Sequence, residues 1–158
     1  MAGFFFMVRS AGWPEQVTAA ALAVGGIGVS AYLTYVHASQ ALPSCAIGDC
    51  DVVNRSAYAQ LMGLPTASWG LLQYVTLLCL IVWQALVRPA PKLTILGIFG
   101  LSLSGMLFSG YLTYVEVAVI HAICMWCMAS AVLITLIFIL SLRMIYFEFH
   151  PPSPPTRR

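Results

Sequence analysis

Five cysteines offer the chemistry in this chain: Cys45, Cys50, Cys79, Cys124 and Cys127. Cys124-Met-Trp-Cys127 is a C-x-x-C at the expected start of a helix. Residues three apart share a helical face, so the two sulfurs can bond each other or address one partner. The unsatisfied N–H groups of a first helical turn favour a thiolate and lower the first cysteine's pKa. The thiolate is the species that attacks disulfides, which makes Cys124 the expected nucleophile. Cys45 and Cys50 form a second pair, and the flanking Asp49 and Asp51 would disfavour a thiolate at Cys50. Four cysteines could instead hold zinc, or form structural disulfides in any of three pairings, a Cys50–Cys124 link included.

The elements that must position these residues belong in lipid. Charged residues make up only 8% of the 158 and apolar ones 61%, with a mean hydropathy of +0.91. A soluble domain keeps about 25% charged residues to wet its surface. The net charge of +2 and the absence of a basic-aromatic pattern exclude a nucleic-acid partner. Apolar runs at about 17–36, 65–87, 93–115 and 123–142 are each long enough to cross a membrane as a helix. The fold class is therefore all-α, a four-helix transmembrane bundle forming a single catalytic domain over residues 1–150. The Pro-rich residues 151–158 are expected to be a disordered tail. The first run reads as a full span and not as a signal peptide.

Arg9, Arg88, Lys92, Arg143, Arg157 and Arg158 fall on one side of these spans, and only Arg55 on the other. The positive-inside rule then makes both termini cytoplasmic in a cell inner membrane. Cys45, Cys50, Cys124 and Cys127 face the opposite, oxidising compartment, with Cys127 one turn deeper than Cys124. That placement favours disulfide exchange over zinc. An embedded dithiol needs an electron acceptor that dissolves in lipid, and a quinone is the natural one; no G-x-G-x-x-G offers a nucleotide cofactor site. Cys79 falls mid-span and reads as a buried packing residue.

An internal repeat links the two halves. Residues 26–36 (G-I-G-V-S-A-Y-L-T-Y-V) and 105–115 (G-M-L-F-S-G-Y-L-T-Y-V) agree at seven of eleven positions, at an offset of 79 that also carries Cys45 onto Cys124. Small residues such as Gly26 and Gly105 would let helices approach closely. Tyr32, Tyr35, Tyr111 and Tyr114 read as interfacial anchors, with the lining of a quinone cavity as the sharper alternative. His37 and His121 are interfacial and could carry the protons that quinone reduction consumes. Glu116, at the end of the third span, is expected to stay in water. Trp126 either shields the sulfurs or anchors at the interface.

The segment C-D-V-V-N-R-S-A-Y-A-Q-L-M-G-L-P (Cys50–Pro65), the following W-G-L-L (Trp69–Leu72) and Y-L-T-Y-V-E…C-M-W-C resemble the vitamin K epoxide reductase family, most closely its bacterial members. The resemblance spans nearly the whole chain. It implies a four-helix bundle around a quinone (ubiquinone, menaquinone or vitamin K), capped by the first loop and a short amphipathic helix at Asp51–Met62. It also implies that Cys45 and Cys50 trade electrons with a thioredoxin-like partner and then with the C-x-x-C. Cys124 would exchange with the loop and Cys127 would face the quinone. Ser56 would hydrogen-bond the quinone, its plainer reading being a solvated loop serine. Trp69, near the start of the second span, is a further cavity candidate, although packing or anchoring explains it as well. Some bacterial members carry a fused thioredoxin-like domain after the last helix; here only P-P-S-P-P-T-R-R follows, so the partner is expected to be a separate periplasmic oxidase. Ala131 stands where the animal proteins have a tyrosine, which favours simple quinone reduction over epoxide reduction. The loop, serving two partners, is expected to be mobile.

Overall fold

A computed structural model describes residues 13–41, 43–45, 48–87 and 91–149. The four expected spans are helices α1 (Trp13–Ala38), α3 (Thr66–Leu86), α4 (Lys92–Val115) and α5 (Met125–Phe149), each long and apolar enough to cross a membrane. Lipid supplies no partners for backbone polar groups, so these runs close their hydrogen bonds internally. α4 continues into a π-helical turn, Glu116–Ile120, which ends where His121 adopts a left-handed conformation with φ of 56°. The expected tail at 151–158 lies outside the described residues, as do Arg9, Arg88, Arg157 and Arg158 of the charge pattern.

The helices close a ring: α1 packs on α3 and α5, and α4 packs on α5 and α3. The half of the bundle away from the C-x-x-C carries an apolar core in which Ala23, Leu77, Ile81, Ile98 and Ile137 are almost fully buried. Ser102 of α4 and Ser141 of α5 meet at 3.1 Å within this core, an interhelical hydrogen bond of the kind that holds membrane helices in register.

The repeated glycines have a shared use. A Cβ at Gly26 would overlap the Tyr74 ring, and one at Gly105 would overlap the Gln73 side-chain amide. Successive residues of α3 therefore enter α1 on one side and α4 on the other, at equivalent points of the repeat. Gln73 then donates to the Leu101 carbonyl at 2.7 Å, and Tyr74 donates to the Ser130 carbonyl at 2.8 Å. Overpacking at either glycine would cost about 1–3 kcal/mol.

The cap between α1 and α3 differs from the single helix expected over Asp51–Met62. It comprises a short α2 (Cys50–Asn54), a 3₁₀ turn (Ala57–Ala59) and a small hairpin of β1 (Gln60–Leu61) and β2 (Leu64–Pro65). Ser56 breaks the helix. Its backbone turns extended, with ψ of 159°, while its hydroxyl donates to the Val53 carbonyl at 2.7 Å. A serine that serves its own preceding turn competes with helix continuation. Met62 and Gly63 both take positive φ, as the tight two-residue turn of a hairpin requires.

Candidate functional site

The sequence-predicted cysteines converge at one end of the bundle. Cys45 and Cys50 are joined by a disulfide, with Cα atoms 6.2 Å apart, while Cys124 and Cys127 are free thiols. Cys50 and Cys124 are each 1% exposed and belong to one packed cluster, with Cys45, Cys127 and Trp126 against it. Of the possible pairings, the structure holds the loop pair oxidised beside a reduced C-x-x-C. Cys79 lies on an exposed face of α3, outside both the core and this cluster, so the expectation of a buried packing residue is corrected.

Two attachments fix the loop on either side of Cys45. Before it, the Ser44 N–H donates to the Tyr32 hydroxyl at 2.9 Å, and the Trp126 indole donates to the Ser44 carbonyl at 2.9 Å. The Tyr32 and Trp126 rings pack together at 5.0 Å. After it, Gly48 pairs with Cys124 in a single antiparallel bridge, and the Asp49 N–H donates to the Ile123 carbonyl at 3.0 Å. Gly48 has φ of 94°, and a Cβ there would overlap that carbonyl oxygen. These attachments give the disulfide a defined seat in this conformation. Trp126 thus acts between the paired cysteines as a loop clamp, a role open to neither of its two sequence readings.

Cys124 caps α5 with its sulfur. The Cys127 N–H donates to Cys124 Sγ at 3.3 Å, and the Cys127 thiol donates to the same atom at 2.7 Å. The thiol hydrogen bond from Cys127 is the main reason the Cys124 pKa falls below the ordinary thiol value; burial and the Glu116 charge oppose it, and first-turn N–H groups assist. The sign follows: a lowered pKa leaves Cys124 as thiolate below the pH where an ordinary cysteine is mostly protonated. Iodoacetamide labelling of the dithiol form should reach half its maximal rate at a pH below that of a free cysteine in the same buffer. Cys127→Ala should move this midpoint upward. An unshifted midpoint in both proteins would remove the proposed thiolate.

A cavity of about 150 Å³ opens under the cap in the cysteine half of the bundle, bordered by both Cys124 and Cys127. An apolar cavity of that size accepts a benzene-sized ring. Leu33, Phe108, Leu112 and Ile134 supply apolar walls, and Ser30, Gln73, Ser109 and Ser130 supply polar points. Ser56 and Trp69 border it as expected. Ser56 already gives its proton to Val53 O, so it presents hydroxyl lone pairs unless it rotates. Tyr111 and Tyr114 do not border it. They are 53% and 65% exposed on the outer face of α4, which corrects the expectation that they line the cavity and fits interfacial anchoring.

His37 and His121 are also outside the cavity: His37 meets the Gln60 side chain at 3.3 Å, and His121 turns back toward Val119 O. Glu116 is the residue that sequence reasoning misplaced. It is 4% exposed, borders the cavity, and accepts the Cys124 N–H at 3.1 Å through Oε2. The π turn brings it inward, and the uncapped N–H of the next helix start receives it. A wider turn cannot be read from helical periodicity, but its Glu lies eight residues before a C-x-x-C, and that spacing was the available signal.

The family model for the vitamin K epoxide reductase family matches residues 17–142, from the first span to the end of the last apolar run. The chain belongs to the vitamin K epoxide reductase family. It is accordingly a multi-pass membrane oxidoreductase of the class that couples quinones to disulfide chemistry. The cavity fits that class, because it places a ring-sized space against Cys127. A bound quinone would supply the two-electron sink, and Cys127 with the polar points of the wall would be the groups placed to hold it.

Proposed function

We propose that this protein is a membrane thiol:quinone oxidoreductase of a disulfide-forming pathway. It takes electrons from a separate thioredoxin-like periplasmic oxidase at Cys45/Cys50, passes them to Cys124/Cys127 and delivers them to a quinone. The observation that carries this reading is the packing of an oxidised loop pair and a reduced C-x-x-C into one cluster that borders a ring-sized cavity. Each transfer is a thiolate attack through a mixed disulfide.

Cys45 is the more accessible member of the loop pair and is the sulfur a protein partner attacks. Cys50, fully buried beside Cys124, then exchanges inward. The distribution of Lys and Arg supports cytoplasmic termini in an inner membrane and an extracytoplasmic cysteine end. Residues 1–150 serve as one catalytic domain. Ala131 supports quinone over epoxide as the substrate.

The test is quinone reduction by the purified protein in nanodiscs, driven by a reduced thioredoxin-like oxidase and followed by quinone absorbance. Turnover that requires both donor and protein is expected. Cysteines that stay oxidised and inert, with no quinone reduced, would leave only a structural role for them.

A further inference from the structure

The dithiol must release a proton as well as electrons. Oxidising the Cys124 thiolate and the Cys127 thiol forms one S–S bond, removes two electrons and frees one proton, and the quinone takes these up with a second proton from solvent to leave as quinol. Cys124, held as the thiolate, has already lost its proton. Cys127 keeps its proton and donates it to the Cys124 sulfur across the 2.7 Å thiol contact, and that proton must leave before the two sulfurs can bond. Neither His37 nor His121 borders the cavity.

Only one carboxyl group borders this cavity among the described residues, and it is Glu116. Its Oε2 is anchored by the Cys124 N–H at 3.1 Å, and Cys127 borders the same cavity. The π turn Glu116–Ile120 exists at this point of α4, and such turns recur where a helix is bent to functional use. The ionisable groups that interact with Glu116 are the Cys124 thiol just before α5 and the Cys127 thiol on it; α2, which packs against the π turn, presents the disulfide-bonded Cys50 on its buried side.

We propose that Glu116 is the proton carrier of the quinone-reducing step. It accepts the proton of Cys127 Sγ as the Cys124–Cys127 bond forms and releases it into the cavity, where a quinone oxygen takes it. The inference rests on the proposed quinone reduction for its direction but not for its geometry. A carboxylate that served only to cap α5 would need no proton of its own.

Glu116→Gln separates the two roles, because the amide oxygen still accepts the Cys124 N–H but cannot carry a proton. Pre-reduced protein in nanodiscs is mixed with ubiquinone-1 or menadione, and the single-turnover rate is followed across pH. Glu116→Gln should slow the step by about 10²–10⁴-fold, the range of general acid–base catalysis, and its residual rate should climb with pH after wild type has levelled. Glu116→Asp should fold and keep the wild-type pH profile at a reduced rate. Independently, infrared difference spectra of the dithiol oxidised by a small disulfide, with no quinone present, should contain a carboxyl band that Glu116→Gln lacks.

A Gln variant within about twofold of wild type overturns the inference, given the range expected of a lost proton carrier. So does a wild-type spectrum with no such band, or an Asp variant that folds yet behaves as Gln should. If wild type reduces no quinone, the proposed function fails, and the infrared spectrum still decides the role of Glu116.

Discussion

Cys127→Ala should abolish quinone reduction from every donor, protein or small dithiol, with a loss of about 10⁴-fold or more, as when a residue of a cooperating catalytic set is removed. The size follows from its position. Cys127 is the thiol of the C-x-x-C that is not held as the helix-capping sulfur, and it borders the cavity beneath Cys124. Without it the pair can form no disulfide, so two electrons cannot leave together. Cys124 remains with its N–H donors but without the thiol that lowered its pKa most. The variant should then accumulate a Cys50–Cys124 mixed disulfide, because these two sulfurs share one buried cluster and no resolving thiol remains to release it. Non-reducing peptide mapping checks this. Quinone reduction within about tenfold of wild type, a loss far below that of a missing catalytic partner, would place the quinone against another residue.

The bundle was legible because lipid leaves the chain few choices. Four apolar runs without internal charge had to become helices, and their observed bounds fall within four residues of the expected ones at every end but the last, which runs on to Phe149. The four reactive cysteines were legible for a different reason: pairing and spacing are local properties, and both pairs lie next to helix starts. The repeat pointed to close approach at Gly26 and Gly105 without revealing what enters, since Gln73 and Tyr74 lie on a helix outside the repeat. What failed depended on which way a side chain faces at a helix end. Tyr32 and Tyr111 occupy equivalent places in Y-L-T-Y-V, yet Tyr32 is drawn under the loop by Ser44 and Trp126 while Tyr111 points outward. Glu116 follows the second copy, and one π turn carries it from the expected water into the cluster. The Asp51–Met62 cap helix failed at Ser56, where a local hydroxyl-to-carbonyl bond outweighed continuation.

The loop variants should divide the relay where Cys127 cannot. Cys45→Ala and Cys50→Ala should each lose turnover with the thioredoxin-like donor by about 10³-fold or more, since either removes half of a disulfide that must open and reclose. A small dithiol should restore most of the rate in both, because it can reach the C-x-x-C directly once the loop pair no longer mediates. The two should differ in what they trap. Cys50→Ala leaves Cys45, the more accessible sulfur, free to hold the donor as a stable mixed disulfide. Cys45→Ala leaves Cys50 buried against Cys124, where it should form an internal bond and hold little donor. Non-reducing gels of each variant with a donor lacking its own resolving cysteine distinguish these products. Equal trapping of donor by both variants would mean that the loop leaves its seat between Ser44 and Gly48 during turnover. The clamp made by Tyr32 and Trp126 would then have to open in every cycle. Failure of a small dithiol to rescue either variant would show that the loop pair holds the C-x-x-C in its working geometry as well as feeding it electrons.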